Sequence, residues 1–303
     1  MTHDSFFGAT VSRSLDANFL VLGIPLDFSS TYRFGSSKGP QSIRKATSNK
    51  LYNHYTEALI DIKEKWKIFD GGDIKIEALN PIETRQIVLK NLKLILDENL
   101  FSRFLFLGGD HLSTYFTFYS LLKIGVFDEK RVGLIYLDAH PDLYEHYEGN
   151  HYSHACVVKR IISDTDINAK NIVQIGVRAS TTSQMEFAEK EEISIITTKE
   201  FQKLGPLESA KNVGNKFKEK VDIIYLSIDL DVLDPAFAPG LGNPETGGLT
   251  TREIIDFIQT LAGLPIIAFD IVELCPDHDQ SMITAFAAAK IIKETLGIIP
   301  LKI

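Results

Sequence analysis

Short apolar runs alternate with segments of helical period almost from one end of the chain to the other. The runs NFLVLGIPLD (18–27), WKIFDGGD (66–73), FLFLGGD (104–110), VGLIYLDAH (132–140), NIVQIGVR (171–178), ISIITT (193–198), DIIYLSIDLDV (222–232) and PIIAFDIVEL (265–274) read as buried strands rich in Val, Ile and Leu. Between them, apolar residues at helical spacing predict helices over 39–47, 81–99, 112–124, 153–163, 182–191, 199–219, 252–263 and 280–297. Pro40 stands near the start of the first, and Gly297 marks the end of the last. Roughly eight strands with helices between them predict an α/β protein with a parallel sheet covered on both faces. A TIM barrel suits eight such units equally well. In either architecture chemistry collects at the carboxyl ends of the strands. No composition break, repeat or low-complexity tract interrupts the pattern, so residues 1–303 are read as a single domain.

Composition narrows the function classes. At 303 residues, with 44% hydrophobic and 24% charged residues, the chain can bury a sizeable core. The formal charge of −8 includes no basic block, which argues against a nucleic-acid partner. No apolar run is long enough for a membrane span, and the polar N-terminal stretch does not read as a signal peptide. Two cysteines, Cys156 and Cys275, suit a reducing interior, so a cytoplasmic location is expected.

Three strand ends carry an unusual polar load. They read GGDH (108–111), DAHPD (138–142) and SIDLDVLDP (227–235). Alternate residues of a strand share a face, which would place Asp138 with His140 and Asp229 with Asp231. Asp142, just past its strand, could fold over the same place. Carboxylates gathered in a crevice repel one another or take up protons unless cations compensate them. His111, Asp138, His140, Asp142, Asp229 and Asp231 supply four carboxylates and two imidazoles. That set exceeds one tetrahedral zinc and fits two octahedral or near-octahedral ions, with Mn²⁺ favoured by oxygen-rich ligation. One Asp after one strand is usually a cap or a turn. Three such motifs at the same end of three strands point instead to metal binding. Asp234, before Pro235, reads as a turn starter, and Asp110 as a partner orienting His111.

GGDH, DAHPD and SIDLDVLDPAFAPG resemble the three metal-binding signatures of the ureohydrolase family of arginases, agmatinases and their relatives. GIPLD, RFGSSKGPQSIR, GGL at 247–249 and DIVELCP extend the resemblance over nearly the whole chain. It implies a three-layer α/β/α sandwich with an eight-stranded parallel sheet, which decides against the barrel. It also implies two Mn²⁺ ions per chain on the six ligands named above. The implied reaction is hydrolysis of a guanidinium to urea and an amine, by attack of a metal-bridging hydroxide. Asp142 would accept a hydrogen bond from that hydroxide, Glu273 would pair with the guanidinium, and His154 would relay a proton to the leaving amine, with His146 and His151 as rivals. Glu273, His154 and Asn150 are the residues expected at the substrate. Trimers or hexamers are implied as well.

The departures from the family bear on the substrate. Ala179 stands where arginases carry an Asp that binds the α-amino group. The loop LYEHYEGNHYSH replaces one that holds the α-carboxylate, and Glu145 and Glu148 would repel a carboxylate. These features predict agmatine as substrate and putrescine as product, placing the chain in polyamine biosynthesis. Arginine, guanidinobutyrate and aminopropyl-agmatine are the alternatives. A metal-dependent deacylase or a non-catalytic relative is the reading from another class. Leu241 and Asn243 replace two threonines of the family's GTGTP segment, one of which lies near the substrate in relatives.

Overall fold

All eight expected strands form, and they lie in one parallel sheet. The computed structural model describes residues 5–11, 13–77, 80–99 and 101–302; the first four residues of the polar N-terminal stretch lie outside this set. The strands are β1 (Phe19–Ile24), β2 (Ile68–Asp73), β3 (Arg103–Gly108), β4 (Val132–Leu137), β5 (Ile172–Val177), β6 (Ser194–Thr197), β7 (Ile223–Asp229) and β8 (Ile266–Val272). Their order is β2-β1-β3-β8-β7-β4-β5-β6, an open sheet with β2 and β6 at its edges rather than a barrel. The inner strands β1, β3, β5, β7 and β8 are buried along their whole length, which is why each reads as a continuous apolar run.

Helices cover both faces. They are α1 (Gly39–Ala46), α2 (Ile62–Lys65), α3 (Pro81–Glu98), α4 (Leu112–Ile124), α5 (Val157–Asp164), α6 (Thr182–Lys190), α7 (Thr198–Leu204), α8 (Pro206–Phe217), α9 (Thr251–Thr260) and α10 (Ile283–Ile298). Alternate strand residues feed two cores. Val21, Leu105, Leu107, Ile135 and Leu137 pack with Ile43, Val213, Ile254 and Ile291 of α1, α8, α9 and α10. Leu20, Leu22, Phe104, Phe106 and Leu134 pack with Val88, Phe116 and Ile161 of α3, α4 and α5. The result is the three-layer α/β/α sandwich. No helix among the described residues is long and apolar enough to cross a membrane.

The differences from the expected elements have local causes. The helical stretch 199–219 is two helices, broken at Gly205, whose φ of 82° precedes Pro206 at the start of α8. The four-residue α2 was not expected; the Asp61 side chain caps it by accepting from Lys63 N and Glu64 N. Before α5, residues 154–156 form a 3-10 turn. The last helix starts at Ile283, after Ser281 and Met282 adopt left-handed φ values of 54° and 58°. Gly297 does not end that helix: a Cβ there would lie 2.6 Å from Thr56 Cγ2, so the glycine permits a close approach.

The strands that bear the polar motifs also end early. β4 stops at Leu137 and β7 at Asp229, followed by a 3-10 turn over Leu230–Val232. Asp138 with His140, and Asp229 with Asp231, are therefore brought together by turns beyond the sheet and not by strand alternation. β3, β8, β7 and β4 are neighbours, so their carboxyl ends form one continuous edge.

Candidate active site

The turn after β3 is built by glycine. A Cβ on Gly109 would lie 1.8 Å from Leu26 O, so only glycine lets this turn run against the end of β1, where Asp110 N donates to Leu26 O. The turn delivers His111, buried at the start of α4. Its ring is oriented by a chain of polar groups inside the sheet. The Ser227 hydroxyl donates to Asp270 Oδ1 at 2.8 Å, leaving its lone pair to accept the His111 Nε2 proton at 3.0 Å. Nδ1 then faces the acids, where it carries a proton between Asp138 and Asp229 and would offer its lone pair to a cation taking that proton's place. Tyr136 stacks on the His111 ring at 4.5 Å and donates its hydroxyl to Asp142 Oδ2 at 2.7 Å. Asp110 does not take part in this orientation; its Oδ2 accepts from Ser29 N.

The six expected ligands converge. His111 Nδ1 is 2.9 Å from Asp138 Oδ2, 2.9 Å from Asp229 Oδ2 and 3.6 Å from Asp142 Oδ2. His140 Nδ1 is 2.9 Å from Asp231 Oδ2 and 3.4 Å from Asp138 Oδ1. Two donor groups result, His111–Asp138–Asp142 and Asp138–His140–Asp231, each with its ligand atoms within 4.8 Å of one another. Asp138 belongs to both groups and turns a different oxygen to each. Two oxygen-rich groups joined by one carboxylate fit a pair of hard divalent cations. Asp142 and Glu273 hold this geometry at φ values of 49° and 65°, strained for non-glycine residues and characteristic of functional sites.

The electrostatics show how much negative charge is confined here. Burial, then the charge of Asp138, pushes Asp142 up to about 7. Burial and Asp231 push Asp229 well above the carboxylate range. Burial opposes ionisation of Asp138, but His111 and His140 outweigh it and hold that carboxyl low. Burial likewise opposes charge on His140, yet Asp231 and Asp138 push it up to about 12. The sign for stability follows. A raised His140 retains a proton that the unfolded chain loses above about 6.5, so its stabilisation fades as pH rises beyond that. A raised Asp142 favours its protonated form, so folding loses stability between about 4 and 7. Chelator-treated protein should therefore lose stability from pH 6 to 9, by about 1 kcal/mol per pH unit for each retained proton. A divalent cation such as Mn²⁺ bound there would take over the protons' role, so the rise in melting temperature on adding it should grow with pH. Thermal-shift measurements at pH 6, 7.5 and 9 check this; an increment that does not change with pH would contradict it.

Beside the cluster, Glu273 Oε1 accepts from His111 N at 2.8 Å and pairs with His154 Nδ1 at 2.8 Å. Its Oε2 is buried without a hydrogen-bond partner. Burial opposes a proton on His154, but Glu273 outweighs it and pushes the ring up to about 9. Nδ1 carries a proton toward Glu273, and Nε2 lies 2.9 Å from the Thr31 hydroxyl and 3.2 Å from Thr31 N. The rivals His146 and His151 are exposed and pack on each other, with His151 bonded to Glu145 O.

These groups open into a cleft of about 300 Å³. Its other walls are Thr31, Tyr144, Tyr147, Ala155, Asn243 and the stretch Ala179–Thr181 with Gln184. Three expectations need correction, those for Asn150, Glu145 and Glu148. Asn150 is exposed and does not line the cleft; it bridges to Tyr147 within its own loop. Glu145 is tied up by Lys159 and Arg160, which a reading of the loop alone could not show. Neither it nor Glu148 reaches the cleft, whose wall on that side is Tyr144 and Tyr147. Leu241 is fully buried in the core, so of the two altered threonine positions only Asn243 faces the cleft. Asp234 is a turn residue, as expected: it accepts from Ala236, Gly247 and Gly248 N. Ser227, Asp270, Tyr136 and Thr31 are the site residues that motif reading passed over.

Known proteins share this arrangement of elements. The model of the Arginase family matches residues 17–297. A guanidinobutyrase from Pseudomonas aeruginosa is 32% identical over 294 residues, spanning 95% of this chain and 87% of the relative. An agmatinase from Bacillus anthracis is 31% identical over 283 residues, spanning 93% and 91%. The solved structure of proclavaminate amidino hydrolase from Streptomyces clavuligerus superposes with a TM-score of 0.87 at 27% identity, covering 98% of this chain and 96% of that one. A family match that takes in every strand of the sheet, and every residue of the cleft with it, means that the chain belongs to the arginase family of ureohydrolases.

Proposed function

We propose that the chain works as one domain that hydrolyses the terminal guanidinium of a small linear guanidino compound to urea and an amine. His111, Asp138, His140, Asp142, Asp229 and Asp231 would hold two Mn²⁺ ions. Bound there, the ions would supply a water acidic enough to serve as nucleophile at neutral pH. One observation carries the reading: the buried, unpaired Oε2 of Glu273 in the cleft beside the six ligands. A buried carboxylate oxygen without a donor is costly, and a planar guanidinium is the cation that fits it. His154, with Nδ1 against Glu273, would pass a proton toward the departing amine. Arginase-family relatives named for agmatine and for guanidinobutyrate share the guanidinium and differ in the tail.

A urea-release assay with added Mn²⁺ on agmatine, 4-guanidinobutanoate and arginine tests this reading. Urea from one or more of them, abolished by chelator, is expected. No urea from any, with one zinc ion retained per chain, would favour the deacylase instead. His154→Asn should slow release by about 10²-fold, in line with loss of a general acid–base group, while metal content stays unchanged. Loss of metal in that variant would make His154 a ligand.

A further inference from the structure

Resting on the reading of His154 as the proton source, the geometry points to the Thr31 hydroxyl as the relay through which His154 exchanges its proton with the leaving amine and with solvent. His154 lines the cleft but is only 8% exposed, and neither ring nitrogen is free. Nδ1 pairs with Glu273 Oε1 at 2.8 Å, and that oxygen also accepts from His111 N, so the Nδ1 proton is held among buried groups. Nε2 is the nitrogen left for exchange. Among the described residues it meets only Thr31, with the hydroxyl at 2.9 Å and the backbone nitrogen at 3.2 Å. Thr31 is exposed and lines the cleft. One hydroxyl thus joins a nearly buried imidazole to open space, and a hydroxyl can take one proton while giving up another.

Thr31 is held in this place from both sides of its loop. Two residues earlier, Ser29 N donates to Asp110 Oδ2 at 2.9 Å, and Ser29 O accepts from His154 N at 3.3 Å. Beyond Thr31, Gly35 N and the Ser36 hydroxyl donate to Asp27 at 2.7 and 3.1 Å. Asp110 is fully buried, and a buried carboxylate is costly unless it accepts hydrogen bonds. Its bond to Ser29 fixes the loop that presents Thr31 to the ring.

The proton transfers balance. Burial opposes a charge on His154, but Glu273 holds the ring up to about 9, so Nε2 is protonated at neutral pH and donates to Thr31 Oγ1. As the C–N bond breaks, its electron pair stays on the amine nitrogen. That nitrogen takes the Thr31 hydroxyl proton, and Thr31 Oγ1 takes the proton of Nε2. Thr31 ends as a hydroxyl and the ring as a neutral imidazole protonated on Nδ1. Nε2 then accepts from the Thr31 N–H, and a proton from water returns by the same hydroxyl in reverse.

Steady-state urea release by the Mn²⁺-loaded full chain tests this, on whichever of agmatine, 4-guanidinobutanoate and arginine it cleaves. Thr31→Val keeps the shape and the N–H at Nε2 and removes the hydroxyl. It should lower kcat by about 10-fold or more, with KM within about twofold and both ions bound. Thr31→Ser restores the hydroxyl and should bring kcat to within about threefold of the native value. In the His154→Asn background, Thr31→Val should cost less than about twofold, because both changes cut one path. A residue that only packed against the ring would give the opposite order, since Val fills the space of Thr and Ser does not. A Thr31→Val chain as fast as the native one, a Thr31→Ser chain as slow as Thr31→Val, a raised KM in place of a lowered kcat, or additivity with His154→Asn each overturns the relay. A slow His154→Asn beside a fast Thr31→Val removes the relay and keeps His154 as the proton source. A His154→Asn chain at native speed, or no urea from any of the three compounds, removes the underlying reading as well.

Discussion

Asp138→Ala is expected to abolish urea release, by at least about 10³-fold, and to strip the protein of divalent metal. The size of the effect follows from the position of this side chain. One donor group holds His111 and Asp142 and the other His140 and Asp231, whereas Asp138 serves both, with Oδ2 toward His111 and Oδ1 toward His140. Its removal leaves each group one acid short at once. Asp231→Ala is the control. It removes a ligand from the His140 group and leaves His111, Asp138 and Asp142 intact, so about one ion per chain should remain. The fold should survive both substitutions, because deleting a buried carboxylate relieves repulsion among Asp138, Asp142, Asp229 and Asp231. Metal analysis after dialysis, with circular dichroism to confirm folding, reads the difference. Two ions still bound in Asp138→Ala would refute a centre bridged by that side chain.

Much of this was legible in the chain, for reasons that also explain what was not. Strands buried on both faces need apolar residues at successive positions, so the inner strands stood out as continuous apolar runs. The ligands stood out because Asp and His at a strand end have no place in a core. The strand ends themselves were misjudged. In LDAHPD and SIDLDV, apolar and polar residues keep alternating after the backbone has left the sheet, and periodicity cannot detect that departure. The groups that orient His111 left a fainter signal. Ser227 and Asp270 each interrupt an apolar strand, and a polar side chain buried there must find a partner. They lie in adjacent strands that are far apart in the chain, so their partnership is visible only once β7 and β8 are paired. Glu145 was misread for a similar reason: Lys159 and Arg160 reach it across a turn and a helix start.

Glu273→Gln should lower kcat/KM by 10²–10³-fold while both ions stay bound. The substitution keeps shape and spares the neighbours. The Gln oxygen can still accept from His111 N and His154 Nδ1, which bond Oε1 in the native chain. What changes is the second atom. Oε2, buried and unpaired, becomes an NH₂ group that turns donors toward a substrate whose guanidinium offers only donors. The loss combines a charge-assisted hydrogen bond with a new donor–donor clash, about 3–4 kcal/mol for a buried charged pair, which is two to three decades in rate. Because none of the six ligands is touched, metal analysis should still find two ions, separating this variant from Asp138→Ala. A change below about threefold with metal retained would mean that the guanidinium is held elsewhere, since a contact of this class cannot be lost so cheaply in a buried site.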